Sequence, residues 1–156
     1  MIRMSKLTDY AIVLLAHLAR GERTQTAHEL AGRSRIPLPT VSKLCKELSR
    51  AGLVASHRGR HGGYSLARAP DAISMADVVE ALEGPIGLTE CVAPGGPACG
   101  IEAFCVARSS WEPVSRAIHG ALEKVPLSSI GPFRATLARP AAGVAGLPVV
   151  PGAIAP

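Results

Sequence analysis

The stretch Leu53-Val54-Ala55-Ser56-His57-Arg58-Gly59-Arg60-His61-Gly62-Gly63-Tyr64-Ser65-Leu66-Ala67 decides the fold. Its two ends, Leu53 to Ser56 and Tyr64 to Ala67, are short runs of apolar and small residues that read as β-strands. Between them lie three glycines, two arginines and two histidines. Glycine lets the chain turn tightly and approach another surface closely, so this is a hairpin with a basic tip. The residues before it give it meaning. Thr26-Ala27-His28-Glu29 is a capping box opening a short helix, with Leu30 and Ala31 inward and an end near Gly32. Pro37-Leu38-Pro39 cannot continue a helix but can begin one, which predicts a third helix from about Pro39 to Ala51. Val41, Leu44, Cys45, Leu48 and Ala51 form its apolar face, and Gly52 ends it. Two short helices across a tight turn fit an ordinary helical pair or a helix-turn-helix equally well. The basic hairpin directly behind them selects a winged helix: a mainly α fold with a small β-hairpin wing.

Working outward, Leu7, Tyr10, Ala11, Leu14, Leu15 and Leu18 recur at helical spacing, and Gly21 ends that first helix. On the other side, Ser74 and Asp77 form a second capping signature. Met75, Val78, Val79 and Leu82 line one face, and Gly84-Pro85 stops the helix. A winged helix meets DNA on two surfaces. Thr40, Ser42 and Lys43 begin the third helix, where base edges of the major groove are read. Arg58 and Arg60 reach the minor groove or phosphates from the wing. Charge agrees: the chain carries a formal +5, and residues 1–70 hold 12 Lys/Arg against 4 Asp/Glu, while residues 71–156 hold 5 against 8. That asymmetry suggests a polyanion-binding module joined to something else, although a solvated basic surface has the same composition.

The 156 residues suffice for one domain with a core and an appended element. Only five residues are aromatic, so the core is Leu, Val, Ile and Ala. No apolar run approaches the roughly 18 residues of a membrane span. No secretory signal follows Met1, so a cytoplasmic, reducing setting is expected. The chain shows no phosphate loop, nucleophile–base pair or paired carboxylates, and an enzyme is not expected.

Three of the four cysteines stand in Cys91-Val-Ala-Pro-Gly-Gly-Pro-Ala-Cys99-Gly-Ile-Glu-Ala-Phe-Cys105, a loop too rich in Gly, Pro and Ala to own a core. A disulfide would leave one thiol over. Structural zinc normally takes four N/S ligands and a tight cysteine pair that is absent here. An iron–sulfur cluster tolerates irregular spacing and a non-cysteine ligand. Zinc in a structural or interaction protein, and three reduced thiols in a floppy loop, stay open as alternatives. Cys45 lies on an apolar helix face and is read as a small hydrophobe. His28 and His119 are read as solvated or packed.

Beyond the loop, Ala107, Trp111, Val114, Ile118, Ala121, Leu122 and Val125 mark a helix that packs on a partner. Pro113 predicts either a kink or a start near Ser110. The organisation expected is a winged helix over 1–84, a cysteine loop over 85–106, a dimerisation helix over 107–130 and a disordered tail over 131–156.

Several motifs carry a resemblance to a known family. Met4-Ser5-Lys6-Leu7-Thr8-Asp9-Tyr10-Ala11, Ile36-Pro37-Leu38-Pro39-Thr40-Val41-Ser42-Lys43, His57-Arg58-Gly59 with Gly62-Gly63-Tyr64-Ser65-Leu66, and Leu88-Thr89-Glu90-Cys91 resemble the IscR/NsrR/RirA family of bacterial cluster-sensing repressors. The match covers about 1–130 and is closest to regulators of the SUF iron–sulfur assembly system. It implies a homodimer on a palindromic operator, with Cys91, Cys99 and Cys105 ligating an iron–sulfur cluster, 2Fe–2S ahead of 4Fe–4S. Relatives of the IscR branch place a histidine ligand where this chain has Arg108, whose guanidinium has no free lone pair. The NsrR-like branch uses an aspartate of the other subunit at the position of Asp9, which makes Asp9 the candidate fourth ligand. Glu90 and Glu102 are weaker candidates, and Asp9 also suits a helix N-terminus electrostatically. Residues Ser74 to Gly84, between wing and loop, are the expected transmission element. The resemblance implies a repressor that answers to its cluster and controls Fe–S assembly genes, with a nitric oxide- or iron-responsive regulator as the alternative; iron, oxygen, nitric oxide and cluster supply all stay open as the signal.

Overall fold

Ser5 caps the first helix by accepting a hydrogen bond from the Thr8 amide, and α1 runs Lys6–Arg20. The computed structural model describes residues 3–21, 23–59, 62–89, 91–93, 95, 100–101 and 104–130. The Thr26–Glu29 capping box is present in full and opens α2, Ala27–Ser34. This helix passes through Gly32 instead of stopping there, since one glycine inside a helix costs only about 1 kcal/mol. Arg35 takes the left-handed capping conformation, φ 59°, and its N–H reaches Ala31 O at 2.9 Å. Pro37 precedes α3, Leu38–Arg50. Gly52, φ 71°, then lets Leu53 N–H close back on Leu48 O at 2.9 Å.

The wing is an antiparallel pair, β1 Val54–His57 and β2 Gly63–Leu66, with Val54 opposite Leu66 and His57 opposite Gly63. Gln25, ahead of α2, extends it by exchanging backbone hydrogen bonds with Tyr64 at 2.9 and 2.8 Å. A 3-10 turn at Pro70–Ala72 leads to a second complete capping box, Ser74 with Asp77, and α4, Met75–Glu83. Leu14 and Leu15 of α1, Leu30 of α2, Val41, Leu44 and Leu48 of α3, and Ile73 and Val78 around α4 are fully buried together. They are aliphatic, as the shortage of aromatics requires.

The last α-helix among the described residues, α5, runs Val106–Glu123 and contains Pro113, so neither a start near Ser110 nor a helix reaching residue 130 is found. Pro113 lacks the N–H that would meet the Ser109 carbonyl, yet packing against α4 carries the helix through. Pro126 forbids extension. The chain instead turns back, Val125 O accepting from Met75 N–H at 2.9 Å and Leu127 N–H donating to Ile73 O at 2.7 Å. Leu127 is 2% exposed, so this segment completes the core of the winged helix. The tail expected over 131–156 lies outside the described residues. Among the described residues no helix is long and apolar enough to cross a membrane.

Candidate nucleic-acid interface and cysteine site

The apolar face of α3 dictates what its other face offers. With Val41, Leu44, Cys45 and Leu48 all at 0% exposure, Ser42, Lys43, Lys46 and Arg50 must point to solvent, and they do; Thr40 is half-buried. Lys43 leans toward Glu47 at 3.9 Å, an exposed pair that is worth little. The wing places Arg58 in the open. Gly59 adopts φ 105°, and its carbonyl accepts the Gly62 N–H at 2.9 Å. A Cβ on Gly62 would lie 2.5 Å from the His57 carbonyl, so no side chain fits there. Across the strands His57 Nε2 and Ser65 Oγ are 2.9 Å apart. Arg60 lies outside the described residues.

The cysteine loop leaves α4 and enters α5. Cys91 is half-buried with its sulfur 3.4 Å from Thr89 Oγ1, and Cys105, also half-buried, stands at the N-cap position of α5 without a side-chain capping hydrogen bond. Both are free thiols. Cys99, Glu90 and Glu102 lie outside the described residues. Cys45 is wholly buried, and burial pushes its thiol up to about 11, which suits a core residue and not a ligand. Asp9 is exposed in the first turn of α1. Among the described residues no three His, Cys, Asp or Glu side chains lie close enough to hold a metal ion, so one chain does not bring Asp9, Cys91 and Cys105 together.

Sequence reasoning missed the polar residues that hold this arrangement. Ser115, 4% exposed, is the buried residue of α5, and its hydroxyl accepts the Leu88 N–H at 3.1 Å, tying loop to helix. Part of the apolar seam expected to meet a partner does face outward, with Trp111 43% exposed, Val114 42%, Val106 85% and Phe104 90% just before the helix, but Leu122 of that seam packs against the chain's own core. His119 has partners after all, Glu80 of α4 at 3.4 Å and Glu123 at 3.9 Å. The Glu83 carboxylate at the end of α4 accepts the Ser5 N–H at 2.8 Å and the Thr8 hydroxyl, joining α4 to the start of α1. Local spacing announces only the His119–Glu123 pair, four residues apart on one helix; the other contacts link residues at least 27 positions apart.

Comparison with known proteins gives the same picture. The profile described as "Rrf2: Iron-dependent Transcriptional regulator" matches residues 4–131. An rrf2-like HTH-type regulator of Rhodobacter capsulatus is 40% identical over 84 residues, 53% of this chain and 56% of that protein. The chain thus spans little more than half of that relative. The HTH-type transcriptional regulator IscR of Cereibacter sphaeroides is 33% identical over 83% of this chain and 86% of its own length. Among solved structures, CymR, the global cysteine regulator of B. subtilis, superposes with a TM-score of 0.63 at 30% identity, covering 81% of this chain and 94% of that one. A winged helix with a solvent-facing recognition helix, matched along nearly all its described length, belongs to the Rrf2 family of DNA-binding transcriptional regulators.

Proposed function

We propose that this regulator is a homodimeric repressor whose hold on a palindromic operator depends on an iron–sulfur cluster bound by Cys91, Cys99 and Cys105. The observation that carries the reading is the state of Cys91 and Cys105: half-buried thiols, outside any disulfide, where the loop meets the α4 side and the α5 cap. A helix N-terminus favours negative charge, which suits a metal-bound thiolate at Cys105. This donor set fits a cluster, which would supply iron–thiolate bonds sensitive to oxidants and to iron or cluster supply. Asp9 of the partner subunit is the proposed fourth ligand, as the likeness of the Thr8-Asp9-Tyr10 motif to the NsrR-like branch implies.

The chain's own residues transmit the state. The loop is tied to α5 through Ser115 and follows α4, which packs on α1, α3 and α5. A shift of the loop therefore bears on the recognition helix, and DNA affinity and cluster affinity change by one shared coupling factor. Thr40, Ser42 and Lys43 are the proposed base-reading residues, with Arg58 and Arg60 in the minor groove or on phosphates. Trp111 and Val114, exposed one turn apart on α5, are the proposed dimer contact, since large apolar side chains left to solvent call for a partner. The targets proposed are SUF-type cluster assembly genes, from the resemblance of the sequence motifs to SUF-system regulators.

The test is anaerobic reconstitution of the full chain with iron and sulfide, followed by metal analysis, visible spectroscopy and a DNA shift assay. Cluster bands lost in Cys91→Ser and Cys105→Ser, with DNA binding that follows occupancy, support the reading. Stoichiometric zinc without visible bands refutes it. Likeness to CymR favours a second reading, a regulator of this fold whose signal is not a cluster; DNA binding indifferent to iron, sulfide and nitric oxide would select it.

A further inference from the structure

Away from α3 and the wing tip, a concavity of about 520 Å³ is lined by Arg20, Gly21, Arg23, Gln25 and Arg33. The arginines come from three places: the last turn of α1, the α1–α2 connection and the last turn of α2.

The site is built from a buried polar side chain. Gln25 is 2% exposed; its Nε2 donates to the His17 carbonyl at 3.0 Å, and its Oε1 accepts from the Arg33 guanidinium at 2.9 Å. Arg33, exposed at the end of its helix, is thereby aimed back along α2. Arg23 is aimed in turn by Glu29 at 2.9 Å, while the other Glu29 oxygen is held at 2.7 Å by the Thr26 N–H of the capping box. Gly21 completes the cradle, because a Cβ there would lie 2.4 Å from Gln25 Nε2. A planar guanidinium held by a second side chain is prepared for an oxyanion. Burial first, then the charges of Arg20 and Arg33, hold the His17 imidazole below the ordinary histidine range, so the positive field is felt locally.

Two features join the pocket to the DNA surface. Gln25 is hydrogen-bonded through its backbone to Tyr64 of β2, so the pocket is fixed to the wing. Gly21 and Arg23 also line a second groove with His57 and Ser65 of the wing strands. We propose that Arg20, Arg23 and Arg33 enclose a phosphate pocket that grips the backbone of bound DNA beside the wing. This rests on the DNA-binding reading above, and the pocket positions the protein without reading sequence.

The test uses the full chain and a mixed-sequence duplex long enough for the whole assembly, with affinity measured by fluorescence anisotropy across a salt series. Each phosphate contact contributes about 0.9 to the slope of log affinity against log salt. The Arg23→Ala/Arg33→Ala double variant is expected to flatten that slope by about one per chain. Arg23→Ala alone, at a side chain 72% exposed, flattens it in part without risk to the fold. An unchanged slope in both variants, beside a salt-dependent wild type, overturns the pocket and leaves the regulator reading standing. A wild type with no salt-dependent binding counts against that reading instead. In a parallel arm, inorganic phosphate is added at constant ionic strength while the His17 ring is followed by NMR. A saturable shift, lost in the double variant whose DNA slope is normal, assigns the pocket to a free anion and overturns the DNA assignment.

Discussion

Glu83→Ala is expected to loosen the junction from which both the cysteine loop and the first helix depart. In the wild type its carboxylate takes the Ser5 N–H at 2.8 Å and the hydroxyl of Thr8, a residue at 0% exposure. A hydrogen bond to a charged group contributes about 1.5–3 kcal/mol where it is well shielded. Glu83 lies at the surface, so solvent screening cuts that. Thr8 retains a second partner, Ser5 Oγ at 3.2 Å. Removing a negative charge from the C-terminal turn of α4 also returns a few tenths of a kcal/mol. The net loss is about 1 kcal/mol, a fall of about 4 °C in melting temperature for a domain of this size. The pH dependence identifies the cause. Hydrogen bonds from the Thr8 hydroxyl, then from Ser5, hold the Glu83 carboxyl below its ordinary value. A depressed folded value means the stabilisation is complete above the ordinary value of about 4.5 and disappears as pH falls through the lower folded value. Thermal melts by circular dichroism at neutral pH and at about pH 3 check this. Equal melting temperatures at neutral pH, or a gap that persists undiminished in acid, refute the reasoning.

Other outcomes follow from the same geometry. Arg58→Ala is expected to weaken DNA binding by about 1–3 kcal/mol, read as a tenfold or greater rise in Kd by anisotropy. Val114→Asp places a charge on the outward face of α5, where the single chain leaves Val114 42% exposed. Sedimentation should therefore show monomer at micromolar concentration while the helical signal of the fold persists. Asp9→Ala should leave a reconstituted cluster that is lost faster and has altered visible circular dichroism; an unchanged lifetime removes Asp9 from the ligand set. Under native alkylation of the cluster-free protein Cys91 and Cys105 should react and Cys45, with its thiol pushed up to about 11, should be modified only on unfolding. Mass mapping distinguishes them.

Much of this protein was legible without coordinates because its signals are local. Capping at Thr26–Glu29 and Ser74–Asp77 is written within four residues, and the apolar stripe of α3 repeats every turn, so helix starts and buried faces follow from spacing. Glycines in the hairpin tip announce the wing for the same reason. Local rules also failed where two of them competed. Gly32 looks like a stop, but a left-handed Arg35 supplied the cap three residues past it. Pro113 allows a kink within the helix or a start near Ser110, and of the two only the start is overturned, because packing of α5 on α4 carries the helix through one missing hydrogen bond.

The sequence by itself determined the helix-turn-helix, the basic wing and the set of thiols, since each is carried by residue type at short spacing. Tertiary structure alone decided what those parts are fastened to. Leu127 returns to the core of the first domain, Ser115 anchors the cysteine loop, Glu83 joins α4 to α1, and Gln25 aims Arg33 while pairing with the wing. These are single contacts between distant segments. A polar residue buried at such a junction leaves no periodic trace in the chain, because its partner is supplied only when the elements pack and exclude water from both.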